Sequence, residues 1–301
     1  MSTVTVLMST YNGEKYLEEQ IESIIRQEGV NVKIFVRDDG STDKTQELLE
    51  RFQNEGILQW YTGKNLRSAR SFLDLVIHAP KSDYYAFCDQ DDVWNSDKLY
   101  RAMSKLESVG DESLPKLYCS NYQLVDSQLK DLPDNGHVST VSFNAALVSS
   151  CCTGCTVVFN RKLLEILKIG QPQALVMHDD WVHKVCLAVG GIVIYDEYRS
   201  LKYRQHEANV DGGVHDIKSR LRNIAIRIRK KDRIRSKQIK EILRIYRNMM
   251  PDNNVILADK IATYTEKNIL DRVRLAYDQE IRAPYKRMNR GYRMAIILKY
   301  Y

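Results

Sequence analysis

Short apolar runs and amphipathic runs alternate through the N-terminal part of the chain, and this alternation limits the fold more than any other feature. β-branched and aromatic residues dominate residues 4–8, 32–36 and 84–88, which predicts buried strands. Residues 14–27 and 44–54 lie between these runs and repeat their apolar residues at helical spacing. Strands that alternate with helices through short turns are typical of a doubly wound sheet. We therefore predict an α/β fold, with a Rossmann-like, mostly parallel sheet flanked by helices.

Two of the predicted strands end in clusters of carboxylates. Asp38 and Asp39 follow one strand, and Asp89, Asp91 and Asp92 follow another. Because parallel strands end at the same edge of a sheet, these clusters are expected to face one crevice. Carboxylates so close together repel one another unless they are solvated or hold a hard divalent cation. A solvated turn and a cation site are both compatible with these residues.

Other titratable residues have a structural as well as a functional interpretation. Asp179 and Asp180 begin a predicted helix, where carboxylates interact favourably with the helix dipole. The same position also suits a general base at the edge of the sheet. His206 lies in a predicted loop, either solvated or as a ligand for a divalent cation. No P-loop and no G-x-G-x-x-G motif occurs, so a bound nucleotide would be held by a metal that bridges its phosphates to carboxylates.

Composition indicates a globular protein of the cytoplasm. The chain has 301 residues, 44% of them hydrophobic, and no apolar run of the about 20 residues that span a bilayer. No positive charge precedes the first apolar run, so we expect no signal peptide. The six cysteines are then expected to be reduced. Cys152 and Cys155 form a C-x-x-C motif, but Cys88, Cys119 and Cys186 occur singly, which favours small core residues over a metal or redox site.

Charge divides the chain near residue 215. Residues 1–215 carry 22 Lys and Arg against 30 Asp and Glu, whereas residues 216–301 carry 23 against 9. Residues 216–247 are predicted to be a basic helix, a second helical stretch extends to about residue 283, and residues 285–301 are basic and aromatic. Such a region can pack on the rest of the protein, bind an anionic membrane surface or bind nucleic acid. The last alternative has the least support, because no nucleic-acid recognition motif is present.

Six short motifs, in order along the chain, resemble family 2 glycosyltransferases of the GT-A fold. The later three resemble the rhamnosyltransferase-like branch, whose members build bacterial surface polysaccharides. The resemblance covers residues 4–212, and its specificity comes from the order and spacing of the motifs together. The motifs lie at residues 5–13, 36–43, 89–94, 152–156, 177–181 and 203–210.

The resemblance implies a nucleotide-sugar donor and a divalent cation, Mn²⁺ or Mg²⁺. Asp89 and Asp91 match the D-x-D element that holds the cation against the donor diphosphate, and His206 matches a histidine that completes this site. Asp179 matches the base that deprotonates the acceptor hydroxyl. Because the family pattern has a single Asp before its Trp residues, Asp180 remains the alternative base.

The same matching assigns the remaining site residues. The residues that match nucleotide binding are Thr10, Tyr11, Asn12, Asp38, Asp39, Asp89 and Gln90. The residues expected to contact the donor or acceptor sugar are Asp92, Trp94, Thr153, Gly154, His178 and Trp181.

An inverting, metal-dependent transferase is the function that the resemblance implies. Our interpretation is transfer of L-rhamnose from dTDP-L-rhamnose to a hydroxyl of a growing, polyprenyl-lipid-linked surface polysaccharide. A galactosyl, glucosyl or N-acetylhexosaminyl transferase that uses a UDP-sugar is the first alternative, and a sugar nucleotidyltransferase is the second. Residues 1–215 would form the GT-A catalytic domain, and the basic helices of residues 216–301 would attach it to the inner face of the membrane. No nucleic-acid partner is expected, and a homo-oligomer remains open.

Overall fold

The computed structural model describes residues 2–133, 139–206, 226, 229 and 233–301. Strands and helices alternate through its N-terminal half, as the sequence predicts. The strands are β1 (Thr3–Thr10), β2 (Asn31–Asp38), β3 (Leu58–Thr62), β4 (Tyr84–Cys88), β5 (Val93–Trp94), β6 (Lys116–Val125), β7 (Val158–Asn160) and β8 (Ile192–Arg204). The helices are α1 (Leu17–Ile25), α2 (Thr45–Asn54), α3 (Ser68–His78), α4 (Lys98–Ser108), α5 (Phe143–Ala146), α6 (Arg161–Leu167), α7 (His178–Ala188), α8 (Ile234–Tyr246), α9 (Asp252–Ala262), α10 (Ile269–Ala276) and α11 (Lys286–Ile297).

A single twisted sheet is the centre of the fold. Within the described residues it has eight strands in the order β3-β2-β1-β4-β7-β6-β8-β5. The first four of these run parallel to one another, which confirms the predicted α/β class. Thr10 pairs with Asp38 across β1 and β2, and Met8 pairs with Cys88 across β1 and β4. The two acidic turns therefore leave the sheet at the same edge.

The other half of the sheet is less regular than the sequence predicts. β7 runs antiparallel to both β4 and β6, so the sheet is mixed. The sequence predicts a strand at residues 192–195 only, whereas β8 continues to Arg204. Irregular pairing near Asn121 of β6 allows this long strand to bend. The end of β8 pairs with β5, which brings His206 beside the acidic turn after β4.

Helices cover both faces of the sheet. Ile21 of α1, Leu49 of α2 and Leu99 of α4 belong to the core on one face. Helices α3, α6 and α7 contribute to the core on the other face. Successive residues of β4 alternate between the two, since Ala86 belongs to the first core and Phe87 to the second. Complete burial of each large aliphatic side chain stabilises the fold by about 1.5–3 kcal/mol, so both layers are needed.

The C-terminal helices pack on the α7 side of the sheet. Ile239 and Ile242 of α8 are buried in the same core as the residues of α7. Tyr301 is also buried, and its hydroxyl donates a hydrogen bond to the Leu147 carbonyl. Of the helix predicted at residues 216–247, the stretch Ile234–Tyr246 is helical, and most of the preceding part lies outside the described residues.

The predicted second helical stretch contains two helices, α9 and α10. Asn268 separates them and caps α10, because its side chain accepts a hydrogen bond from the Asp271 N–H. Residues 285–301, for which the sequence predicts only a basic and aromatic character, contain α11. In the ranges that the structure describes, no helix is both long enough and apolar enough to cross a membrane.

Candidate active site

A cavity of about 880 Å³ opens at the edge of the sheet where β1, β2 and β4 end. The turns after these strands line it, together with the N-terminal ends of α3 and α7. Four carboxylates reach this cavity from three elements: Asp39 after β2, Asp89 and Asp91 after β4, and Asp179 at the start of α7. Open α/β sheets bind ligands at this edge. The acidic clusters at the two strand ends therefore share one crevice.

The adjacent carboxylates of Asp38 and Asp39 lie in different environments. Asp38 is fully buried and accepts hydrogen bonds from two backbone N–H groups of its own turn, at 3.2 and 3.0 Å. It organises the turn and does not line the cavity, which corrects the expectation that it contacts the nucleotide. Asp39 does line the cavity, where it pairs with the buried Arg37 and accepts a hydrogen bond from the Arg67 N–H at 2.9 Å.

The turn after β1 is joined to the turn after β4 through Gln90. Its Oε1 accepts a hydrogen bond from the Tyr11 N–H at 2.8 Å, and its Nε2 donates one to the Tyr11 carbonyl at 3.1 Å. A Cβ on Gly13 would lie 2.4 Å from Gln90 Oε1, so a larger residue would displace the Gln90 side chain. Thr10, Tyr11 and Gln90 line the cavity. Asn12 does not, because its side chain joins the turn to the one after β2.

The candidate metal centre combines Asp91 and His206, which are in contact, with Asp89, whose charge interacts with that of Asp91. The His206 Nε2 donates a hydrogen bond of 2.7 Å to Asp91 Oδ2, and both side chains are mostly buried. Burial, together with the charges of Asp91 and Asp179, raises the pKa of Asp89 to about 7. The charged form of Asp89 is therefore disfavoured without a counter-ion, and a divalent cation would stabilise it. Carboxylate oxygens with one imidazole are a suitable ligand set for Mn²⁺ or Mg²⁺.

Three of the residues expected to contact a sugar lie beneath the cavity instead. Asp92 is fully buried near the Cys155 thiol and accepts a hydrogen bond from the Arg204 N–H at 3.2 Å. Burial, reinforced by the two neighbouring carboxylates, raises the pKa of Asp92 well above its usual value. Trp94 and Trp181 are 4% and 1% exposed and belong to the hydrophobic cores on opposite faces of the sheet. These side chains support the site from below, which corrects the expectation of direct sugar contacts.

Asp179 and Asp180 point to different sides of α7. Asp179 lines the cavity, whereas Asp180 forms a buried ion pair with Lys184 one turn further along the helix. Gln238 of α8 donates a further hydrogen bond to Asp180. Burial alone would raise the pKa of Asp180, but the charges of Lys184 and Arg235, with these hydrogen bonds, hold it below its usual value. The Asp180 carboxylate is therefore held by Lys184 and Gln238 inside the protein, at the start of α7.

His178 lines the cavity as a neutral ring. It stacks on Phe72 with 3.9 Å between ring centroids and meets the edge of Phe87 at 5.0 Å. Burial lowers the pKa of His178 to about 3, so it carries no charge at neutral pH. A Cβ on Gly154 would lie 2.5 Å from His178 Nε2, so this glycine allows the close approach. Thr153 and Gly154 line the cavity beside it.

Two arginines at the start of α3 also line the cavity, and the sequence-based reasoning missed them. Arg67 has φ 65° and ψ 157°, a combination that is found almost only in glycine. Arg70 donates hydrogen bonds to the carbonyls of Pro172 and Gln173, which joins α3 to the segment before α7. Backbone strain is the feature that distinguishes Arg67, and no residue pattern reveals it.

The mixed α/β sheet, with carboxylates gathered at the ends of its parallel strands, has the GT-A fold. A family model described as glycosyl transferase family 2 matches residues 5–167. The chain belongs to this family.

Sequence relatives are bacterial glycosyltransferases. The chain is 30% identical to the dTDP-rhamnosyl transferase RfbG of Shigella flexneri over 235 residues, which are 73% of this chain and 78% of that protein. It is 26% identical to the Escherichia coli enzyme WfgD over 54% of this chain and 61% of that protein. WfgD is named as a UDP-Glc:alpha-D-GlcNAc-diphosphoundecaprenol beta-1,3-glucosyltransferase.

Solved structures share the fold at low sequence identity. S. aureus TarS (residues 1–349), in complex with UDP-GlcNAc, superposes with a TM-score of 0.56 at 16% identity, over 99% of this chain and 89% of that chain. The mannosyltransferase PcManGT of Pyrobaculum calidifontis, in complex with GDP-Man and Mn²⁺, gives a TM-score of 0.52 at 17% identity, over 98% and 86% of the two chains. Enzymes of this fold commonly use a divalent metal, as the PcManGT complex illustrates.

Proposed function

We propose that the protein transfers a sugar with inversion and that Asp179 is the base that deprotonates the acceptor hydroxyl. The observation that carries this proposal is the contrast at the start of α7. Asp179 lines the cavity that also holds Asp89 and Asp91, whereas Asp180 is occupied by a buried ion pair with Lys184. A single base opposite the leaving group favours direct displacement, in which no carboxylate has to act as a nucleophile.

Asp89, Asp91 and His206 are the residues that would hold Mn²⁺ or Mg²⁺. Their oxygen and imidazole donors fit such an ion. The raised pKa of Asp89 reflects burial first and then repulsion by Asp91 and Asp179, and a bound cation would offset both. The bound ion would act as a Lewis acid on the diphosphate of the donor. His206 orients Asp91 through the 2.7 Å hydrogen bond between them, so the two side chains are positioned as a unit.

The nucleotide is proposed to bind over the ends of β1 and β2. Thr10 and Tyr11 line this end of the cavity, and Asp39 supplies a carboxylate there that is held by Arg37. Gln90 fixes the backbone of Tyr11 on both sides. These groups are pre-organised by hydrogen bonds, which lowers the entropy that binding has to overcome.

The proposed donor is dTDP-L-rhamnose, and its support is the similarity to RfbG over most of both chains. The first alternative is a UDP-sugar donor. The similarity to WfgD and the fold shared with TarS support this alternative. In either case we propose a role in bacterial polysaccharide biosynthesis, with an acceptor linked to a polyprenyl diphosphate as in the name of WfgD.

Membrane attachment through the basic C-terminal region is the remaining part of the proposal. Residues 1–215 would bind donor and acceptor in the cytoplasm, and residues 216–301 would meet the inner face of the membrane. The supporting observation is an exposed apolar face on α10, where Leu270 is 68% exposed and Ile269 and Tyr277 are about half exposed. Apolar residues next to Arg and Lys favour binding at an anionic interface.

A donor screen tests the activity. Thermal shifts should be measured with dTDP-L-rhamnose, UDP-glucose, UDP-galactose and UDP-N-acetylglucosamine, each with Mn²⁺, because a ligand of the folded state stabilises it by mass action. The proposed donor should give the largest shift, and transfer should release a nucleoside diphosphate. A larger shift with a UDP-sugar would replace the donor assignment, and release of pyrophosphate would indicate a nucleotidyltransferase instead.

A vesicle assay tests the attachment separately. The protein should sediment with phosphatidylglycerol vesicles and much less with phosphatidylcholine vesicles, and Leu270→Ser should weaken this binding. Tyr100→Ser is the matched control, because Tyr100 is also exposed (54%) but lies on α4. Equal binding of both variants would contradict the role of α10.

A further inference from the structure

Three cysteine thiols meet on the α7 side of the sheet, outside the candidate metal centre. Cys119 lies on β6, and Cys151 and Cys152 lie in the segment that leads to the cavity wall. Their three sulfur atoms lie within 4.8 Å of one another, and the Cys119 and Cys151 sulfurs are 3.9 Å apart. Cys155, the other half of the C-x-x-C motif, belongs to a different group, with Asp89 and Asp92. The local sequence spacing therefore misidentifies which cysteines are neighbours.

A buried histidine completes this group. His183 of α7 is fully buried, and its Nε2 lies 3.8 Å from the Cys151 sulfur and 2.9 Å from the Thr140 carbonyl. Its Nδ1 lies 2.9 Å from the Ser150 hydroxyl. Because a hydroxyl can donate or accept, Ser150 can support the tautomer in which Nε2 has no proton and is available as a ligand.

We propose that Cys119, Cys151, Cys152 and His183 form a zinc site. Three sulfur ligands and one imidazole are a common ligand set for tetrahedral Zn²⁺. Zinc–sulfur bonds of about 2.3 Å in a tetrahedron separate two sulfurs by about 3.8 Å, close to the 3.9 Å found here. A disulfide needs about 2.05 Å between sulfurs, so it would require a much larger movement than metal binding. Binding releases the thiol protons to solvent. His183 Nε2 now donates its proton to the Thr140 carbonyl; on binding, the ring turns towards the ion and changes tautomer, so that Nδ1 carries the proton and donates it to the Ser150 hydroxyl.

The chemistry of this site differs from that of Asp89, Asp91 and His206. Thiolates are soft ligands that select zinc, whereas carboxylates prefer Mg²⁺ or Mn²⁺. The two sites would therefore hold different ions in one protein. The zinc site would join β6, the segment before Thr153 and helix α7, so it would stabilise the wall that carries Asp179 without taking part in transfer.

Cobalt substitution tests the proposal on the whole 301-residue chain. The protein is purified under reducing conditions, treated with a chelator and titrated with Co²⁺, whose bonds to thiolates give a charge-transfer absorption that carboxylates cannot give. We expect this absorption to saturate at one Co²⁺ per chain and to be displaced by Zn²⁺. Zinc should also raise the melting temperature of the chelator-treated protein. Absence of the thiolate absorption in the folded wild-type protein would overturn the proposal, whatever the behaviour of any variant.

Matched cysteine variants locate the site. Cys151→Ser and Cys152→Ser should lose the thiolate absorption, whereas Cys186→Ser should keep it, because Cys186 is buried elsewhere on α7. His183→Asn should keep the charge-transfer absorption but lose the intense visible bands of a tetrahedral ion. An unchanged spectrum in both Cys151→Ser and Cys152→Ser would refute the assignment. So would the loss of two titratable thiols from the denatured, chelator-treated protein in the absence of reductant, because thiols released from zinc are titratable and thiols in a disulfide are not.

Discussion

Paired amide substitutions at the start of α7 should separate catalysis from stability. Asp179→Asn removes a carboxylate that lines the cavity, whereas Asp180→Asn removes one that neutralises Lys184. The two changes are chemically identical and one residue apart. We expect the first variant to fold normally and lose transfer, and the second to be destabilised but to retain activity per folded molecule.

The expected magnitudes follow from burial. The side chains of Asp180 and Lys184 are 10% and 2% exposed, so Asp180→Asn leaves an uncompensated charge in the core. Loss of one partner from a buried ion pair costs about 3–5 kcal/mol. In a protein of this size, that should lower the melting temperature by roughly 5–10 °C. Loss of a general base typically lowers the rate by about 10²–10⁴-fold, which is the range expected for Asp179→Asn.

Urea unfolding and initial-rate measurements on both variants check these values. The double variant Asp180→Asn/Lys184→Met should recover most of the lost stability, because it removes both charges and keeps the volume filled. A folded but inactive Asp180→Asn protein would transfer the base assignment to Asp180. Turnover above a tenth of wild type in Asp179→Asn would refute the catalytic role, and unchanged stability of Asp180→Asn would refute the argument from burial.

Further predictions concern the metal, pH and packing. Asp91→Ala should abolish the thermal shift that donor with Mn²⁺ produces, and a chelator should do the same to the wild type; a retained shift would contradict the metal assignment. The raised pKa of Asp89 (about 7, against about 3.9 when unfolded) means that protons favour the folded state, so stability of the metal-free protein should fall as pH rises between these values. Stabilisation by Mn²⁺ should grow over the same pH interval and level off above pH 7, which scanning fluorimetry can measure. A stabilisation by Mn²⁺ that does not change with pH would argue against Asp89 as a ligand. Arg67→Gly should relieve about 1–3 kcal/mol of backbone strain and so raise the melting temperature. The same variant should bind the donor more weakly in calorimetry, and an unchanged affinity would show that the guanidinium does not contact the donor. Gly154→Ala should destabilise by about 1–3 kcal/mol in urea, because its methyl group meets the stacked ring of His178, and a neutral effect would show that the ring can move.

Neighbouring carboxylates show what a residue pattern can and cannot predict. The pattern of apolar and acidic residues predicts the parallel strands and the edge at which their acidic turns meet. It does not distinguish Asp38 from Asp39, or Asp179 from Asp180, because the direction of each side chain depends on the packing of its turn or helix. In both pairs only one carboxylate lines the cavity. Asp38 and Asp180 are turned into the protein, whereas Asp39 lines the cavity even though Arg37 and backbone N–H groups also hold it.

Long-range packing accounts for the other differences. Trp94 and Trp181 belong to motifs that resemble sugar-binding segments, yet both fill hydrophobic cores because β5 pairs with β8 and α8 covers α7. Cys119 and His183 become neighbours of Cys151 only through the sheet and α7. Contacts between elements far apart in sequence leave no local periodicity, so spacing rules cannot find them.

The hydrogen bond from Gln238 to Asp180 has a consequence for protein engineering. Gln238 lies beyond the charge boundary near residue 215, and Ile234 of the same helix lines the catalytic cavity. A chimera that joined residues 1–215 to the tail of another transferase would lose this support and uncover the core around Ile242. Recombination between relatives should therefore exchange α7 and α8 together, as one inherited unit.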